Sequence, residues 1–249
     1  MKKTIFSAAI LIAALGFTGC EGSKNGGDLT INAKVKNGNL VKVDEARAVG
    51  YIYSETPYGY YDWNDIIIAT ALYKNGGFKI KLPKDNIDAR LIETIDFEDA
   101  FDIDVTVSNN NVKGAMVEGF LAFKNNEEIG EFIFLYYSYD AIGYVLYMFV
   151  DSDCKIYGYE SDMDQYDGQT YKWEDSVDLD LKKGWNTVYE YYMAVGNSEI
   201  YKITTKKPEL DFTWYYNGDY YDKAPQKDFK RMPQKIYQLL NKIKANNIN

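Results

Sequence analysis

Leu29, Ile31, Ala33 and Val35 alternate with Thr30, Asn32 and Lys34. An apolar side chain at every second position marks a strand with one buried face, because successive Cβ atoms point to opposite sides of a sheet. The pattern returns at Phe101, Ile103, Val105 and Val107, and again at Val177, Leu179 and Leu181. Strand-like runs also occupy residues 48–53, 66–73, 78–82, 116–123, 131–137, 144–150, 154–159, 185–193, 199–204 and 211–215. Turn signals separate them, among them Asn37-Gly38-Asn39, and Asn75-Gly76 between two apolar runs. A chain of 249 residues with 24 Tyr, 12 Phe and only 5 Pro suits this plan, since aromatic side chains pack well on a pleated surface. The sequence therefore predicts an all-β protein built as β-sandwiches or a barrel. Only the tail changes period. Ile236, Leu239, Leu240 and Ile243 recur at helical spacing, with Pro233 at the first turn and Lys242 and Lys244 near the end. This predicts one C-terminal amphipathic helix, packed on the sheet or lying on a membrane surface.

Asn75-Gly76-Gly77-Phe78-Lys79-Ile80-Lys81-Leu82-Pro83 resembles the last strand of transthyretin-like, or carboxypeptidase-regulatory-like, β-sandwiches. The resemblance spans residues 28–96. It implies a small accessory module, usually non-catalytic; the later strand runs predict a larger antiparallel β-sandwich or barrel at 97–222, and the tail a helix at 223–249. Residues 147–158 and 179–189, with Thr204-Thr205 and Phe212-Thr213-Trp214-Tyr215, resemble segments of secreted Bacteroidetes lipoproteins of uncharacterised role.

The chain begins Met1-Lys2-Lys3, and residues 5–17 are almost wholly apolar. Thirteen residues are too few for a spanning helix, which needs about 20, but they fit the core of a secretory signal. Phe17-Thr18-Gly19-Cys20 resembles the bacterial lipobox, with Phe17 in place of the usual Leu. The resemblance implies cleavage after residue 19 and lipidation of Cys20. Residues 20–27 are then a lipidated cysteine and a glycine-rich tether. The implied location is the cell envelope, most simply the outer membrane, on its periplasmic or surface face. The alternative is an ordinary secretory signal, or an uncleaved anchor, with Cys20 incidental.

Charge and composition exclude several classes of function. The formal net charge is -9, and losing Lys2 and Lys3 with the leader takes it to -11. Such a surface repels nucleic acid, whose binding rests on Lys and Arg contacts to phosphate. No histidine is present, so Ser-His-Asp and Cys-His catalysis, His-ligated zinc and histidine pH switches are all excluded. Two cysteines, Cys20 and Cys154, supply no zinc-thiolate cluster. Cys154 lies in a predicted strand and is expected to be a buried, inert thiol, or else to form an intermolecular disulfide. No phosphate loop, dinucleotide fingerprint or Gly-x-Ser-x-Gly elbow is present.

Three constellations remain. Tyr58, Tyr60, Tyr61 and Trp63 form one aromatic loop, and Trp214 and Tyr216 belong to a second. Aromatic faces beside amides and carboxylates are what sugars stack on and hydrogen-bond to; the plainer reading is aromatic caps on a Tyr-rich sandwich. Asp162, Asp164, Asp167 and Glu174 crowd a second region. Calcium takes six to eight oxygen ligands, so a loose calcium site is one expectation and a solvated acidic loop the other. An EF-hand frame fails, because Met163 and Gln165 fall where its first and third carboxylates belong. Asp96, Glu98, Asp99, Asp102 and Asp104 could hold the paired carboxylates of a glycoside hydrolase. The function expected is a lipid-anchored, non-catalytic binding or structural protein, with no cofactor and with a glycan or another envelope protein as partner. The alternatives are a carboxylate-dependent polysaccharide hydrolase and a self-associating adhesin or assembly subunit.

Overall fold

The computed structural model describes residues 28–36, 38, 42–55, 61–95, 97, 100–166 and 169–218, with the backbone course alone for 52–55, 61–63 and 166. The predicted leader, Cys20 and the C-terminal helix lie outside the described residues. Among the described residues fifteen strands follow one another: β1 (Leu29–Lys34), β2 (Glu45–Glu55), β3 (Tyr61–Lys74), β4 (Gly77–Leu82), β5 (Glu93–Thr94), β6 (Val105–Val107), β7 (Lys113–Val117), β8 (Gly119–Lys124), β9 (Glu127–Tyr137), β10 (Ala141–Val150), β11 (Cys154–Tyr166), β12 (Gln169–Leu181), β13 (Gly184–Val195), β14 (Ser198–Thr204) and β15 (Thr213–Gly218). A 3₁₀ turn spans Ala89–Leu91. The all-β expectation is met. One correction concerns direction: β12 and β14 run parallel over Lys172–Asp178, so the sheet is mixed rather than wholly antiparallel.

The pairing order is β1-β4-β3-β2-β8-β9-β10-β13-β14-β12-β11-β6, with β15 on the far edge of β9. Tight turns set the register of its hairpins. Asn75 and Gly76 both have positive φ, 55° and 75°, as do Asn125 and Asn126, 51° and 64°. Positive φ at both central residues gives a turn whose twist matches the strands it joins. The sequence signal at Asn75-Gly76 thus sets the β3–β4 hairpin.

β15 also returns to β1 through a parallel bridge, Val35 to Trp214, and the Lys36 N–H donates to the Trp214 carbonyl at 2.9 Å. That contact closes β1, β4, β3, β2, β8, β9 and β15 into a ring. Alternate residues point into it: Ile31 and Val35, Phe78 and Ile80, Phe120, Phe132, Trp214 and Tyr216. The sheet crosses the boundary expected at residues 96 and 97, because β2 pairs with β8 from Glu45↔Phe123 to Val49↔Gly119.

β10 joins this ring to the rest. It reads Ala-Ile-Gly-Tyr-Val-Leu-Tyr-Met-Phe-Val, apolar on both faces. Val145, Tyr147 and Phe149 face the ring core. Leu146, Met148 and Val150 face a second core with Cys154, Ile156, Val177, Leu179, Leu181 and Val188. A strand buried on both sides loses the alternation that marks a half-exposed one. The sheet from β10 through β13, β14, β12, β11 and β6 wraps around this second core. Cys154 is buried, as its strand position predicted.

Candidate functional site

The register of five strands sets out the concave face of the curled sheet row by row. Directly paired residues share a face of a sheet, so pairings can be followed across it. The first row is Tyr144, Glu190, Ile203, Val177 and Gly158, which borders the second core. The next is Ile142, Tyr192, Tyr201, Asp175 and Glu160. Beyond it come Ala194, Glu199, Trp173 and Asp162, then Tyr171 and Asp164. The face therefore changes along the strands from an apolar core to a surface of aromatic rings and carboxylates. No Lys or Arg stands at any of these positions.

Residues 101–104 cross in front of this face. Gly158 permits the crossing: a Cβ there would lie 2.8 Å from the Asp104 carbonyl oxygen and 3.1 Å from the Ile103 side chain. Phe101, Asp102, Ile103, Asp104, Tyr159 and Glu160 line the resulting open depression, of about 510 Å³.

The electrostatics follow from partial burial of like charges. Burial raises the Asp175 carboxyl above the ordinary aspartate range, and the Glu160 and Asp102 carboxylates raise it further. Glu160 stands directly across the strand pair from Asp175, an arrangement that opposes two like charges. Burial also raises Glu190, although its Oε1 accepts a 2.6 Å hydrogen bond from the Tyr201 hydroxyl. Burial lifts the Tyr201 phenol far above its usual value, with Glu190 and Asp102 adding to the effect. Tyr144 is pushed to about 12 by burial and by Glu190. Tyr192 reaches about 12 by burial and by the neighbouring Glu199. These hydroxyls stay protonated as donors, and the carboxylates around them accept.

Of the residues singled out in the sequence, Asp102 and Asp104 line the depression and Asp162 and Asp164 stand on the concave face, whereas Trp214, Tyr216 and Glu174 fall elsewhere. Trp214 and Tyr216 are core residues, 3 % and 8 % exposed, and the expectation that they stack on a ligand is corrected. Trp214 stacks on Phe134 with ring centres 4.8 Å apart and meets Phe120 edge-on at 5.1 Å. The Tyr216 hydroxyl donates to the Ile129 carbonyl at 2.6 Å. The reason is strand alternation: what reads as a Tyr-rich loop continues β15 to Gly218, and even-numbered positions point inward. Tyr61 and Trp63 lie on β3, paired with Glu55 and Tyr53. Tyr58 and Tyr60 lie outside the described residues.

Of the four acidic residues expected to gather around calcium, the three described ones are divided between two faces. Asp162 and Asp164 pair with Trp173 and Tyr171 on the concave face. Glu174 pairs with Ser161, so it occupies the opposite face of the ribbon. There it is ion-paired with Lys172 and accepts from the Tyr159 hydroxyl at 3.2 Å. Asp167 lies outside the described residues. Among the described residues no cluster of three or more acidic or thiol side chains is arranged to hold a metal ion.

Sequence reasoning passed over Tyr144, Trp173, Asp175, Glu190, Tyr192 and Tyr201. The one local signal was Glu190 within the run Val188-Tyr189-Glu190-Tyr191-Tyr192, a carboxylate where a core strand would place an apolar residue. No protein-family model matches the chain, and neither the curated proteins nor the solved structures include a significant match to it.

Proposed function

We propose that this chain is a lipid-anchored cell-envelope protein with a non-catalytic binding role, and that its ligand is a neutral or amino-bearing glycan held on the concave face. The observation that carries the reading is the aromatic and carboxylate surface of Tyr192, Tyr201, Trp173, Asp175 and Glu160 beside an open depression of about 510 Å³. Rings offer stacking surfaces for the apolar faces of sugars, phenols donate, and carboxylates accept from hydroxyls. The absence of Lys and Arg from the face disfavours acidic polysaccharides. The resemblance of residues 28–96 to usually non-catalytic accessory modules supports the same reading, as does the missing histidine. The lipobox-like Phe17-Thr18-Gly19-Cys20 supports the anchor.

Two experiments test the two halves of the proposal. Cys20→Ser should abolish lipid labelling and release the protein from the membrane fraction; persistent labelling contradicts the anchor. The purified protein should bind neutral or amino sugars on a glycan panel and release no reducing ends from them. Binding confined to anionic glycans, or hydrolysis of a bound glycan, contradicts the binding role as stated.

A further inference from the structure

We propose that the outer edge of β11, from Tyr159 to Tyr166, receives an extended segment of a partner protein in which basic and apolar residues alternate. The inference does not rest on glycan binding, because it is carried by the backbone edge of the sheet, although Tyr159 and Glu160 also border the depression of that reading.

β6 pairs with β11 only through Ile156, Tyr157 and Gly158. Among the described residues no strand flanks the remaining outer edge. Backbone groups alternate between the two edges of a strand. The Ser108 N–H donates to the Lys155 carbonyl at 2.9 Å, which fixes the odd-numbered groups of β11 on the outer edge. Tyr159, Ser161, Met163 and Gln165 therefore direct their N–H and C=O groups outward. A row of this kind is a template for another strand. At Met163 the N–H is met at 2.7 Å by the Asp162 carboxylate, a local bond an incoming carbonyl would replace.

The side chains of this edge specify the occupant. On the concave side stand Glu160, Asp162 and Asp164. The opposite side carries Tyr159 and Met163, 53 % and 64 % exposed. A strand laid along the edge would set alternate residues against carboxylates and the others against these apolar groups. Lys or Arg at one parity and Val, Ile or Tyr at the other satisfies both sides. A second copy of β11 does not fit, because antiparallel self-pairing would bring two acidic rows together.

The test uses the full chain in detergent and a ten-residue peptide alternating Lys and Val, with a Glu–Val peptide and a scrambled Lys/Val peptide as controls. Amide exchange and fluorescence anisotropy are the readouts. The Lys–Val peptide should bind and slow exchange at Tyr159, Ser161, Met163 and Gln165, and the two controls should not. Ser161→Pro removes one edge donor at a position where proline is tolerated on an edge strand. It should weaken the peptide about tenfold or more, the equivalent of about 1.4 kcal/mol, while leaving the melting temperature near that of the parent. Asp162→Lys should lower affinity for the Lys–Val peptide and raise it for Glu–Val. Equal binding of the scrambled peptide, or undiminished binding to Ser161→Pro, overturns the proposal. So does protection of these amides before any peptide is added, which would mean that the chain covers its own edge.

Discussion

The closed ring and the curled sheet are joined by one strand, β10, which faces both cores, and both rest on alternation, but they treat aromatic residues in opposite ways. In the ring, Phe78, Phe120, Phe132, Phe134, Trp214 and Tyr216 point inward and pack on one another. In the curled sheet, the inward alternation runs past the end of the core, and Tyr192, Tyr201 and Trp173 remain on an open face among carboxylates. Closure accounts for the difference. The ring consumes its interior positions as packing, whereas the open end of the curled sheet leaves the same kind of position available to a ligand. Tyrosine and tryptophan content alone cannot separate these uses, because both halves draw on the same residue types.

The comparison breaks or sharpens at particular side chains. Trp214→Ala empties the middle of the ring and should cost about 3–5 kcal/mol, the range for truncating a buried aromatic; urea unfolding would measure it. Leu179→Ala in the second core should cost about 2–5 kcal/mol. Because β10 supplies side chains to both cores, the two variants should each unfold in a single transition. A biphasic curve would mean that the halves are energetically separate.

Trp185→Phe tests the seam between them. The Trp185 Nε1–H donates to the Pro83 carbonyl at 2.7 Å, tying β13 to the end of β4. Its loss should cost about 1 kcal/mol, the net value of one such bond, read as a shift in the denaturation midpoint without a change of slope.

Glu190→Gln should produce the smallest stability change and one that depends on pH. The folded protein holds the Glu190 proton more tightly than the unfolded chain does, because burial raises its pKa. The stability this contributes is full below the unfolded glutamate value of about 4.3 and is lost as pH rises through the folded pKa. Glutamine keeps an acceptor for the Tyr201 hydroxyl. The variant should therefore melt with the parent near pH 4 and progressively above it toward neutrality. An offset that does not vary with pH contradicts the stated burial of this carboxyl.

Much of the fold was legible because strand alternation is local. Leu29 to Val35, Asn75-Gly76 and Val177 to Leu181 all form what their spacing predicts. Trp214 and Tyr216 misled because a short aromatic run with Asn and Gly reads as a loop, while pairing with β9 extends it as a strand. The parallel pairing of β12 with β14 is a long-range choice that neither strand encodes alone. The concave face was hidden for the same reason: Tyr144, Trp173, Asp175, Glu190 and Tyr201 come from four strands, and only their mutual register assembles a surface. The acidic run at 160–174 shows the converse. Residues close in sequence are divided between two faces by a period of two.

The most direct test of the concave face as the binding surface is a paired measurement on Trp173→Ala, of its melting temperature and of its binding to the glycan selected by the parent protein. Trp173 borders the open face rather than either core, so its truncation should change stability by less than about 1 kcal/mol, as for substitutions away from a core, while abolishing detectable glycan binding. A stability loss equal to that of Trp214→Ala, or unchanged affinity for the glycan, would contradict the account.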